Sequence, residues 1–201
     1  MTAETANPVG RPRSFDKDQA LDAAMHVFWT YGYEGASLTA LTEAMGINRP
    51  SLYATFGDKK SLFSKVLDRY TEGPISYVVN AIDQPTARAF AEDLLIGAAD
   101  SATGADTPHS CLFLQSVSTP DPEADSIQQE VVRRRNIGNK LIIQRLIRAK
   151  REGDLPSDCN PADLGRFLIS VMRGLAVLAA DGASRAELHR TVQTALSIWP
   201  K

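Results

Sequence analysis

Apolar residues recur along this chain at helical spacing almost from end to end. Leu21, Ala24, Met25 and Phe28 form the i, i+3, i+4, i+7 stripe of one buried helix face. Asp16, with Gln19 after it, is a capping-box-like start for that helix, and Gly32 is its stop. Ser37 caps a short second helix with Leu38, Leu41 and Met45 on its inner side, ended by Gly46. Asn48 caps a third, with Pro50 in the first turn, where a missing amide costs little, and with Leu52 and Phe56 turned inward. Gly57 breaks it, and Asp58 caps a longer helix carrying Leu62, Phe63, Val66, Leu67 and Tyr70.

The pattern stays helical after Pro74. The spacing predicts helices over 85–101, 109–118, 123–152, 161–181 and 184–199, separated by a loop at 101–108, prolines at 120 and 122, and Gly153. Neither sustained period-two alternation nor a βαβ pattern appears, so an all-α fold is predicted. It divides into an arm at 1–15, a helix-turn-helix unit at 16–60, and a helical remainder at 61–201. The second and third helices, joined by a few residues around Gly46, have the helix-turn-helix pattern. Arg49, Ser51, Tyr53, Ala54 and Thr55 fall on the outer side of the third helix, a set with no acid and several groups that suit base edges or phosphates.

Composition narrows the function classes. The 201 residues are 43% hydrophobic and 23% charged, which excludes general disorder. The two cysteines, Cys111 and Cys159, do not make a disulfide framework. No apolar run reaches the ~20 residues of a membrane helix, and the first residues lack the apolar stretch of a secretory signal. A cytoplasmic, reduced setting is therefore expected. The net charge of −2 does not announce nucleic acid, but its distribution is uneven. Arg11 and Arg13 oppose only Glu4 in the arm, and Arg49, Lys59 and Lys60 oppose only Asp58 around the third helix. The first helix between these basic pieces is acidic. Local positive potential governs docking on phosphates more than the total does. Lys59 stands at a helix N-terminus, which favours anions over cations, and this points to an external anion there.

Residues 10–70 resemble the DNA-binding half of the TetR (tetracycline repressor) family of bacterial regulators. The shared features are a basic arm, a helix closing on F-x-x-x-G-Y (Phe28 to Tyr33), a Ser37 cap, an A-x-G-[IV] turn (Ala44 to Ile47), an S-L-Y-x-x-F helix (Ser51 to Phe56), and Lys59 opening the next helix. Two positions depart from the family pattern: Pro50, where a small or basic residue is common, and Thr55, where His is common. The resemblance implies about nine helices, a homodimer, a palindromic double-stranded DNA operator and a small-molecule effector of unknown identity. On this basis Arg11, Arg13, Ser37, Thr39, Asn48, Arg49, Pro50, Ser51, Tyr53, Thr55 and Lys59 are the expected DNA contacts, whereas Phe28, Trp29 and Tyr33 read as core. Two such subunits would set recognition helices about 34–36 Å apart.

The remainder of the chain matches the family in character alone. Phe90, Phe113, Phe167 and Met172 are candidate linings of an effector pocket. The last two helices carry more apolar surface than one stripe needs. Leu164, Leu168, Val171, Leu175, Leu188, Val192, Ala195 and Trp199 are expected at a dimer interface, with Gly165, Gly174, Ala176 and Ala179 letting a partner helix approach. Val192 and Ala195 are placed on its outer face. Arg133, Arg134 and Arg135 read as a solvated charge run. Other readings are a dimeric helical adaptor without DNA binding, a thiol or metal sensor built on Cys111, and an enzyme on a helical scaffold. Two cysteines and His109 lack a zinc spacing, and a buried cysteine is usually a small hydrophobe. No acid/base constellation or phosphate loop appears, so no catalytic residue, metal or cofactor is expected, and no membrane partner.

Overall fold

The computed structural model describes residues 15–105, 107–115 and 122–200, without the side chains of 122–124. Arg11 and Arg13 lie outside the described residues. The helices are α1 (Lys17–Gly35), α2 (Leu38–Met45), α3 (Arg49–Phe56), α4 (Lys59–Glu72), α5 (Tyr77–Ile82), α6 (Ala87–Ala102), α7 (Leu112–Gln115), α8 (Pro122–Arg151), α9 (Pro161–Ala180) and α10 (Arg185–Ser197).

Local chemistry sets most of these boundaries. The side chains of Asp16, Ser37, Asn48, Asp58, Thr86, Asn160 and Ser184 each accept a backbone N–H of the helix they open. Ser184 and Glu187 complete a reciprocal capping box. Gly46 closes α2 in the left-handed conformation at φ 65. The helix expected over 109–118 is helical only from Leu112 to Gln115 within the described residues. Pro108 precedes it, and the Ser110 carbonyl accepts the Trp29 indole N–H at 3.2 Å instead of entering a helical ladder.

Side chains pack into two cores. The first joins α1 to α4 through Phe28, Trp29, Leu41, Leu52, Phe63 and Tyr70, and it also takes in Leu112 and Phe113 of α7 and Ile127 and Val131 of α8. Phe28 stacks on Tyr33 and both meet Phe63 edge-on, while Tyr70 meets Trp29 and Phe113 edge-on. Full burial of each such ring contributes roughly 1.5–3 kcal/mol. The second core joins α5, α6, α9, α10 and the later part of α8, including Ile142 and Leu146. A boundary at residue 60 thus falls inside the first core, because α4 packs there along its whole length. The acids of α1 are also drawn onto α4, where Asp22 accepts both Nε and Nη2 of Arg69 at 2.8 Å.

The expected interface residues divide. Leu168, Leu175, Leu188 and Val192 are at most 1% exposed and lie in the second core of a single chain. They are not on an outer face, because the face of α9 that carries them is consumed by α6, α8 and α10, and that of α10 by α6 and α9. Gly165 likewise serves the chain's own packing: a Cβ there would stand 2.7 Å from Ile143 Cγ1 of α8. Leu164, Val171, Ala195 and Trp199 are half-buried. The apolar stripe left on the outward side of α9 is Phe167 and Val171, half-buried at the edge of the second core, with Gly174 and Leu178 exposed; Ile198, just past the end of α10, is exposed as well.

Candidate nucleic-acid interface

The α2–α3 pair is anchored from below and polar above. Leu41, Leu52 and Phe56 are buried, so the opposite sides of both helices must face out. On that outer side Ser37, Thr39, Asn48, Arg49, Pro50 and Tyr53 are exposed, and Ser51, Thr55 and Lys59 half-buried. α3 itself carries no carboxylate, and Lys59 stands just beyond it in the first turn of α4. Arg49 reaches back to α2, its Nη2 donating to Thr39 Oγ1 at 2.9 Å. That bond fixes the guanidinium between the two helices while its other N–H groups remain for a base edge or phosphate. Ser37 Oγ and Asn48 Oδ1 are occupied as caps on Ala40 N and Ser51 N. Lys59 lies over the Tyr33 ring at 4.5 Å. A cation–π contact thus helps explain a lysine in the first turn of α4, where an outside anion was the sequence's explanation.

The Arg133–Arg135 run is not a solvated face. Arg133 is exposed and bound to Glu130 at 2.7 Å. Arg134 turns inward onto α4, where it is hydrogen-bonded to Asp68 and to Ser64 as well as to Glu130. This tie joins α8 to the helix whose first turn borders the α2–α3 surface. Arg135 is half-buried beside a cavity. One sequence signal for the tie was the i,i+4 spacing of Glu130 and Arg134; Asp68, distant in sequence, carried none.

The hydrogen bonds from Arg133, and with them Arg134, hold the Glu130 carboxyl down at about 2, against its usual 4.5. A carboxyl depressed in the folded state stabilises it above the unfolded value and loses that contribution as pH falls toward the folded value. Glu130→Gln is therefore expected to lower the thermal midpoint at neutral pH. The gap to wild type should narrow as pH drops from 4.5 toward 2. Melting curves across that range check it; a pH-independent gap overturns the assignment.

A cavity of about 350 Å³ lies between α4, α5, α6, α7, α8 and α9. Phe113 and Met172 line it. Phe90 and Phe167 do not: Phe90 is sealed in the second core under the Arg145 guanidinium, and Phe167 belongs to the outward stripe of α9. Cys111 lines the cavity as well, and the Tyr70 hydroxyl donates to its sulfur at 3.5 Å. Among the described residues no cluster of three or more His, Cys, Asp or Glu side chains could hold a metal ion, and no helix is long and apolar enough to cross a membrane.

Comparison with known proteins gives consistent relatives. The profile of bacterial regulatory proteins of the tetR family matches residues 20–66. The HTH-type transcriptional repressor ComR of Escherichia coli is 33% identical over 96% of this chain and 92% of its own. The repressor BdcR of the same organism is 30% identical over 97% and 94%. A cysteine-substituted form of the TetR family regulator CifR, solved with 26-base-pair double-strand operator DNA, is 40% identical. It superposes with a TM-score of 0.89 over 95% of this chain and all of that one.

Proposed function

The chain belongs to the TetR family of helix-turn-helix transcriptional regulators, and from that premise we propose that it is a dimeric cytoplasmic repressor released from its operator by a small molecule. One observation carries the DNA part of this reading. The exposed side of α3 presents Arg49, Ser51, Tyr53 and Thr55 without a carboxylate, held rigid by Leu52 and Phe56 beneath. A short helix anchored this way enters a major groove with its N-terminal residues at base edges. Arg49 and Ser51 supply most of the sequence reading. Ser37, Thr39, Asn48, Tyr53, Thr55 and Lys59, with Arg11 and Arg13 of the arm, supply positioning on the backbone.

Two copies joined through the outward stripe of α9 and α10 would place two recognition helices on successive grooves. The cavity supports an effector that acts between its walls. Asp68, Tyr70 and Thr71 of α4 form one side and α8 another, and the Arg134–Asp68 tie crosses between them. A ligand that favours a different α4–α8 spacing moves α4, and with it the α2–α3 surface. It releases DNA only to the extent that it binds the moved state better. The repressors ComR and BdcR, similar over nearly the whole chain, support repression over activation.

The experiment is a gel shift of the full chain on the duplex flanking its own reading frame. Arg49→Ala is expected to cost about 1–3 kcal/mol on the specific site and to relax sequence preference. Lys59→Ala is expected to weaken all sequences alike and to flatten the salt slope by about one unit. Equal losses on specific and random duplexes for both variants overturn this division, and no wild-type shift overturns DNA binding in favour of a helical adaptor.

A further inference from the structure

The cavity is mainly apolar, with Ile75, Val78, Phe113, Leu114 and Met172 in its walls, yet four arginines of α8 and α9 stand around it. Arg133 and Arg134 are neutralised by Glu130 and Asp68. Arg135 and Arg173 are not: among the described residues no carboxylate forms an ion pair with either. Asp68 is the acid in the cavity wall, and Arg134 already holds it. Arg135, half-buried, and Arg173, exposed, line the same cavity, and burial first, with the Arg173 charge second, pushes the Arg135 guanidinium below its usual value. A second observation is independent of charge. The Ser110 hydroxyl, in the same wall, is buried and has no hydrogen-bond partner. Buried hydroxyls rarely stay unpaired in folded proteins, and one facing a cavity suits a polar ligand atom.

We propose that this cavity takes an amphipathic organic acid, with its carboxylate between Arg135 and Arg173 and its hydrocarbon or aryl body against Phe113, Leu114 and Met172. The inference rests on reading the cavity as the effector site and adds the chemistry of the effector. A carboxylate relieves the repulsion between the guanidiniums, and the planar fork of arginine matches its two oxygens. A neutral ligand of the same shape leaves that repulsion in place. The volume sits near the lower end of the ~300–1,000 Å³ typical of small-molecule sites, which selects a medium-length or single-ring acid over a long-chain lipid.

The test is calorimetric titration of the full chain, without DNA, by hexanoate, decanoate and phenylbutyrate, each against the primary alcohol of the same skeleton. At least one acid is expected to bind about tenfold or more tighter than its alcohol, as a charge-assisted bond replaces a neutral one. In Arg135→Gln/Arg173→Gln that preference is expected to vanish, the acid and its alcohol then binding with equal affinity. The exposed Arg173→Gln alone, which does not threaten the fold, should lose part of it. Equal affinity for acid and alcohol, no binding of any acid, or a preference that survives in the double variant each overturns the proposal. Operator binding is read separately. An acid that binds with this preference but does not release DNA upholds the anion site and overturns its role as effector.

Discussion

Val192→Arg is expected to leave no folded protein, whereas Leu178→Arg is expected to give a soluble, helical monomer. Val192 is fully buried in the second core. Its neighbours in that core are apolar, and a charge buried among them costs several kcal/mol on top of the overpacking. That is comparable with the whole stability of a domain, about 5–15 kcal/mol. Leu178 is 41% exposed on the outward stripe, so a charge there leaves the core intact and falls on the proposed interface. Sedimentation and circular dichroism separate the two outcomes. The Leu178→Arg monomer should also lose specific operator binding although α3 is untouched, because one half-site gives too little affinity. A wild type that sediments as a monomer at micromolar concentration overturns the dimer, as does tight operator binding by a monomeric variant.

Gly32→Ala is expected to be the costliest small substitution in the DNA-binding half. Gly32 has φ 69 and ψ 177, a region that is nearly glycine's alone, and the strain of another residue there is about 1–3 kcal/mol. Steric overlap adds to this, since a Cβ would stand 2.9 Å from the Gln115 carbonyl oxygen. The substitution therefore pushes α7 away from α1 as well as straining the turn. Gly46→Ala is the control: it also has positive φ, but a Cβ there meets nothing within 4 Å. Urea unfolding should show a clearly larger loss for Gly32→Ala. Equal losses mean that the close approach to α7 contributes nothing.

The sequence carries what is local and hides what is not. Asp16, Ser37, Asn48 and Asp58 were legible as helix starts because a cap is settled within three residues of itself. The α2–α3 surface was legible for a related reason: eight residues with Leu52 and Phe56 inward leave little freedom for the rest. The far end of the chain was harder. On α9 the spacing of apolar residues fits two stripes at once, and periodicity does not say which one its own chain covers. Leu168 and Leu175 went to the inner stripe, Leu178 to the outer. Likewise the spacing puts Glu130 within reach of Arg133 and Arg134 but does not reveal that Arg134 also binds Asp68, because that partner stands 66 residues away. Phe90 and Phe113 are both aromatic residues on apolar helices; only tertiary packing puts the second at the cavity and seals the first.

The first core has a practical corollary for anyone who wishes to rewire such a regulator to a new promoter. Leu112, Phe113, Ile127 and Val131 are as much a part of it as Phe28 or Leu67. A fragment ending after α4 would expose the rings that these four residues cover, so it should aggregate instead of serving as a portable DNA reader. A chimera cut at the end of α4 would need a foreign α7 and α8 to fill the same hollow against Trp29 and Tyr70. Operator preference is better transplanted as the skin of α2 and α3 alone, leaving Leu41, Leu52 and Phe56 as the host supplies them.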